Sequence, residues 1–290
     1  MLQNSLIDLG TLAAFFEADF ARMALLCTVL VGAMCGLLSP TIVLKQRAYV
    51  GDTLAHLVFP GLVGGYFVAV SFDLPLWASL IVGAALTGLL GSMLVEKLER
   101  LLAIPPDSAA VVALTGFFAS GVVAVSRLRG TRIDLERFLF GDVLTLSASE
   151  AVLLFVVLSV VALTLAFLKS DWNAWLSDSE FALLMGFRVK VIERLFPVLV
   201  TSAVLTGLFA VGGLMMSALL ALPAVLMPPK SAFSLRVLML STFLAVAGLV
   251  LAFALDWPVG SSIVLLGFVL VLLKAIVISL RHRMLAKKLH

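Results

Sequence analysis

Apolar positions run in long blocks along this chain, separated by short polar breaks. Charge-free or nearly charge-free stretches fall at 23–44, 53–72, 74–95, 108–126, 151–168, 195–229, 237–255 and 257–280. Seven of them have the ~17–25 residues that one membrane-crossing helix needs. The stretch 195–229 is different: as one helix it would be about 52 Å long at 1.5 Å per residue, against a hydrocarbon core of ~30 Å. Gly212 and Gly213 divide it, and a glycine pair is a natural place for a helix to break. The pattern predicts an all-α fold, a polytopic transmembrane helical bundle of eight to nine spans. It forms a single transmembrane domain over 1–290 with no separate soluble domain.

Composition supports the same reading. Charged residues make up 13% of the chain and hydrophobic residues 62%, where a soluble domain carries roughly 25% charged residues. Mean hydropathy is +1.20. So much apolar surface cannot be hidden in one small core, and lipid is the natural solvent for the rest. The net charge of +3 then reports a Lys/Arg excess on cytoplasmic loops and does not point to nucleic acid.

That excess orients the bundle. The tail 281–290, RHRMLAKKLH, is strongly basic and is expected in the cytoplasm. Nine spans then put segment 1–20 outside. The cytoplasmic side receives the basic residues of 45–52, 96–107, 169–194 and 230–236, while Arg22, Arg127, Arg129, Arg132 and Arg137 are left as outside exceptions. Eight spans fit the charge distribution less well. The N-terminal stretch has no basic region or small-residue cleavage site of a signal peptide. Cys27 and Cys35 lie in one apolar run without metal-type spacing and read as small buried hydrophobes.

One polar pair breaks the apolar pattern. In GDTLAHLVFPG, residues 51–61, Asp52 and His56 are i, i+4 and share one helix face. At 1.5 Å per residue from Arg47, His56 is about 13 Å up the second span. Ionisable groups at such depth cost roughly 2.5 kcal/mol or more each and normally face a cavity or a partner. Pro60 and Gly61 follow and loosen the helix. The other histidines, His282 and His290, are in the tail. One imidazole and one carboxylate suit a borderline divalent cation such as Zn2+, Mn2+ or Fe2+. The same pair also suits a proton relay or a structural hydrogen bond between helices, and two ligands do not complete a coordination sphere.

These residues also resemble a known family. The stretches KQRAYVGDTLAHLVFPG (45–61), DLERFLFGDVL (134–144), SEFALLMGF (179–187), VGGLMMSALLALPAVLM (211–227) and DWPVGSSIVLL (256–266) are similar to the membrane permease of the ABC-3 family. That family serves bacterial ATP-driven uptake of zinc, manganese and iron(II). The resemblance implies a multi-pass permease of the bacterial inner membrane that is not itself an enzyme and binds no permanent cofactor. Its partners would be separate cytoplasmic ATP-binding subunits, an extracytoplasmic metal-binding delivery protein, and a second permease copy or paralogue. It maps a metal-ligand role onto Asp52 and His56. Leu57 stands where the family usually has a small residue, and Met185 where leucine is usual.

Segment 169–194 is expected in the cytoplasm. Phe181, Leu184 and Met185 form an apolar stripe at i, i+3 and i+4 beside charged neighbours. Such a helix suits the membrane surface or a groove on a partner. The resemblance of SEFALLMGF to the family's coupling segment assigns Glu180, Phe181, Ala182, Leu184, Met185 and Gly186 to an ATPase contact. Gly186 would end the short helix. Asp142, in an outer segment, is a candidate metal contact at the mouth beside the plainer reading of a surface or cap residue. Asp256 with Trp257 and Pro258 reads as an interfacial turn. Met215 and Met216 read as core filling.

No HExxH, GxSxG or Walker A pattern occurs, so the chain lacks the parts for proteolysis, ester hydrolysis or its own ATP hydrolysis. The alternatives are a proton-coupled secondary transporter using Asp52 and His56 as a relay, and a membrane scaffold that does not transport. Asp plus His does not choose among the three metals.

Overall fold

The computed structural model describes residues 19–127 and 146–288, and every regular element among them is a helix. In chain order these are α1 Asp19–Leu44, α2 Val50–Leu57, α3 Phe59–Phe72, α4 Leu76–Leu102, α5 Pro106–Arg127 and α6 Ala148–Phe167. They continue with α7 Lys169–Ser177, α8 Ser179–Leu184, α9 Val189–Val211, α10 Gly213–Leu226, α11 Leu235–Leu255 and α12 Val259–Lys288.

Among the described residues, eight stretches are long and apolar enough to cross a membrane, α2 and α3 together making one of them. The break expected in 195–229 falls at Gly212, whose φ of 86° and ψ of 160° belong to a region that only glycine enters without strain. Beyond it, α10 has 14 residues, about 21 Å of helix, and does not by itself match the ~30 Å core.

Spans end where the chain turns into the left-handed region. Asp73, Ala103 and Asp256 (φ 51°, 50° and 55°) follow α3, α4 and α11. Trp257, next in the chain, is half exposed, as the interfacial-turn reading expects.

Helix α1 is the centre of the bundle: Ala24, Val31, Met34, Cys35, Leu38 and Ile42 are all 0% exposed. It packs against α11 through Gly32 and Gly36. A Cβ at Gly36 would stand 2.8 Å from the Leu238 Cα, so a single methyl would push the helices apart. Helices α3 and α4 meet the same way, Gly61 against the Gly83 carbonyl and Gly65 against the Ser79 carbonyl. Lipid is as apolar as leucine, so close backbone approach of this kind supplies van der Waals packing where no hydrophobic drive exists.

Met215 and Met216 are fully buried, and the Cys35 thiol reaches the Met216 sulfur at 3.7 Å; these methionines fill core, as expected. Trp77, Phe155, Phe167 and Phe268 are exposed on the outer helices, surface that only a lipid solvent tolerates. Lys274 lies within α12. Its ammonium donates to the carbonyls of Val225 and Leu226 at 2.8 and 2.9 Å, capping the C-terminus of α10.

Candidate functional site

Asp52 stands in the first turn of α2 and His56 one turn later. The His56 Nε2 lies 3.8 Å from the Asp52 Oδ1, beyond hydrogen-bond length. Among the described residues neither side chain makes a hydrogen bond, so both keep lone pairs free. The imidazole is 26% exposed and the carboxylate 67%.

The rest of α2 is fastened down. Leu54 and Leu57 are 2% and 1% exposed. A Cβ on Gly51 would stand 2.9 Å from the Ser217 Cα, and one on Gly213 3.2 Å from the Ala55 Cβ, so α2 lies flush on α10. Pro60, in the first turn of α3, has no N–H to give the His56 carbonyl one turn back, which sets the joint between α2 and α3. The His56 ring meets Phe118 of α5 edge to face, with centroids 5.2 Å apart at 88°.

No third His, Cys, Asp or Glu joins this pair among the described residues. Asp142 and the segment 134–144 lie outside them.

On the opposite side of α2, Tyr49, Thr53, Leu57, Ser92, Glu96 and Phe196 line a cleft between α2, α4 and α9. Arg47 closes one end of it by pairing with Glu99 at 3.3 Å. Burial raises the Tyr49 hydroxyl to about 12, with Arg47 working against that.

The segment 169–194 folds as two short helices at a sharp corner. Asp178 caps α8 by accepting from the backbone N–H groups of Glu180 and Phe181, both at 3.0 Å. Gly186 ends it at φ +83°. The Gly186 N–H reaches the Leu183 carbonyl at 3.2 Å and the Phe187 N–H the Ala182 carbonyl at 3.0 Å, the paired bonds of a Schellman end. Ala182 points inward at 2% exposure, while Phe181, Leu184 and Met185 stand out at 60%, 85% and 62%. Glu180 is also exposed.

Sequence reasoning missed what holds this knob in place. Trp172 is 0% exposed, and its indole N–H donates to the Thr41 hydroxyl at 3.0 Å. Trp175 packs at right angles to it, and Lys45 sits 4.2 Å over the Trp175 ring while donating to its carbonyl at 2.8 Å. Burial lowers the Lys45 ammonium below its ordinary value; Arg47 adds to this, and Glu193 and Asp178 oppose it. The signal was present in KSDWNAWLS, where two tryptophans three residues apart mark a buried helix face. Phe118, inside an unbroken apolar run, gave none.

A bundle of apolar helices, broken at mid-course and carrying one free acid–imidazole pair on a spanning helix, is built as a multi-pass membrane permease. Residues 17–278 match the model of the ABC 3 transport family; the chain belongs to that family and is a permease subunit of its transporters. It is similar to the manganese transport system membrane protein MntC of Halalkalibacterium halodurans, 29% identical over 272 residues with 89% of each chain covered. A probable metal transport system membrane protein of Thermotoga maritima is 30% identical over 257 residues, 87% of this chain and 88% of that one. The zinc transport system membrane protein TroC of Treponema pallidum is 27% identical over 218 residues, covering 74% and 72%. Among solved structures, PsaBC from Streptococcus pneumoniae in complex with Fab superposes with a TM-score of 0.74 at 24% identity, covering 90% of this chain and 94% of that one. That likeness supports the fold.

Proposed function

We propose that this permease carries a divalent transition metal ion, Zn2+, Mn2+ or Fe2+, into the cytoplasm across the bacterial inner membrane, and that Asp52 and His56 hold the ion on its way. The observation that carries this reading is a carboxylate and an imidazole, 3.8 Å apart and without a hydrogen bond among the described residues, on a membrane-spanning helix. A hard oxygen and a borderline nitrogen suit these cations. The relatives named for manganese and zinc transport support the same class of cargo.

A carboxylate at the centre of a spanning helix costs roughly 2.5 kcal/mol or more; Asp52, in the first turn of the span Val50–Phe72 and two-thirds exposed, still calls for a polar partner over it. The face bearing Asp52 is therefore covered in the working transporter. A second permease copy laid across it supplies a second Asp52 and His56, and four protein ligands complete what two leave open.

The remaining parts follow the family. ATP is hydrolysed by separate cytoplasmic subunits that grip the knob at Phe181, Leu184, Met185 and Gly186, with Glu180 at its rim and Ala182 packed behind it. A delivery protein docks outside, opposite the basic cytoplasmic tail, with segment 1–20 on its side of the membrane. The whole of 1–290 acts as one transmembrane domain. The ion is cargo; no cofactor stays bound.

The test is uptake of radioactive manganese and zinc by the assembled transporter. Asp52→Ala or His56→Ala abolishes uptake while the variant still co-purifies with its ATPase. Normal transport by either variant overturns the site. Uptake that collapses with a protonophore yet survives ATP depletion would instead establish proton-coupled transport.

A further inference from the structure

A histidine that ligates a metal is ordinarily aimed by a hydrogen bond from its second ring nitrogen to a carboxylate, a backbone carbonyl or water. Among the described residues, no carboxylate or backbone carbonyl holds His56 in this way. Asp52 stands 3.8 Å away on its Nε2 side, and the Phe118 ring meets the imidazole edge to face.

Phe118 is itself propped. The Phe59 ring lies 5.4 Å from it at 34°, and Phe59 is 2% exposed. Phe59 in turn fills the space left by Gly121, where a Cβ would collide with its ring. Gly121 and Phe118 are both on α5, so a closed loop of contacts runs from α5 through Phe59 of α3 and back to Phe118. The imidazole is the free member resting against that loop.

We infer that Phe118 is the positioning residue of the metal site: its ring, backed by Phe59, aims the His56 imidazole so that Nε2 faces Asp52. This rests on the metal-ligand reading above. An edge-to-face aromatic contact of this kind sets the orientation of the ring.

The experiment uses the purified permease–ATPase complex without nucleotide, with retention of Mn2+ measured by equilibrium dialysis and elemental analysis. An edge-to-face contact of this kind corresponds to about a three- to tenfold change in dissociation constant, so Phe118→Leu weakens Mn2+ retention by about that factor. Phe118→Tyr keeps the ring and stays within about twofold of the parent. On a His56→Ala background, Phe118→Leu causes no further loss, because the group it aims is gone. Should Phe118→Leu not assemble, Phe118→Met takes its place with the same expectations.

Unchanged retention in Phe118→Leu, beside lost retention in His56→Ala, overturns the positioning role and leaves the metal site standing. So does a loss that Phe118→Tyr fails to restore, or a further loss on the His56→Ala background. Parent-like retention in His56→Ala overturns the site and the inference with it.

Discussion

The bond between Trp172 and Thr41 ties the knob of α7 and α8 to the central helix, and its strength can be measured by removing each partner. Both residues are 0% exposed, and the donor–acceptor distance is 3.0 Å. Trp172→Phe loses about 40 Å2 of buried apolar surface, about 1 kcal/mol. It also strands the Thr41 hydroxyl, for about 1 kcal/mol more, the low end of the range because a helical threonine can turn back to its own backbone. Thr41→Val keeps the shape but leaves a buried indole N–H unpaired, about 2 kcal/mol. Making both changes removes donor and acceptor together and leaves only the surface loss, about 1 kcal/mol instead of the 4 kcal/mol expected from adding the singles. The assay is SDS-induced unfolding in mixed micelles for the four proteins of the cycle. If the double variant loses the sum of the single losses, the bond does not join these elements in the way described.

Leu184→Glu, at a side chain 85% exposed, leaves the melting temperature of the isolated permease unchanged and abolishes co-purification with the ATPase; retained binding would remove α8 from the contact. Gly51→Val drives a side chain into the Ser217 backbone, lifts α2 off α10 and lowers metal uptake at least tenfold, whereas Gly116→Ala, with open space around it, transports normally and gains up to about 1 kcal/mol of helix stability. Lys45 has a folded-state value below its unfolded one, so between the two the unfolded chain binds more protons and stability rises with pH up to about 10.4. Lys45→Met removes that contribution, and denaturation midpoints of parent and variant followed from neutral to alkaline pH show the parent gaining relative to the variant.

The helices were legible because each is an apolar run of membrane length, and the break in 195–229 was legible because 35 residues do not fit one crossing and two glycines mark the place. Asp52 and His56 stood out as the polar exception to an apolar rule, and Gly186 as a glycine just past a short amphipathic helix. Phe118 was hidden for the opposite reason: it obeys the rule, and only the packing of α5 beside α2 singles it out. Trp172 and Thr41 are 131 residues apart, and local periodicity carries no information about which distant helix end receives an indole N–H. The number of crossings divides on α10, whose apolar pattern is that of a span but whose length is not.

Lys274 bears on how the protein is made. A cation in the last helix would, on its own, penalise entry into the bilayer by roughly 2.5–3.5 kcal/mol, yet here its acceptors are two carbonyls synthesised 48 and 49 residues earlier. A misplaced α10 would leave that ammonium facing bare hydrocarbon. The lysine thereby makes the seating of α12 depend on where α10 ends.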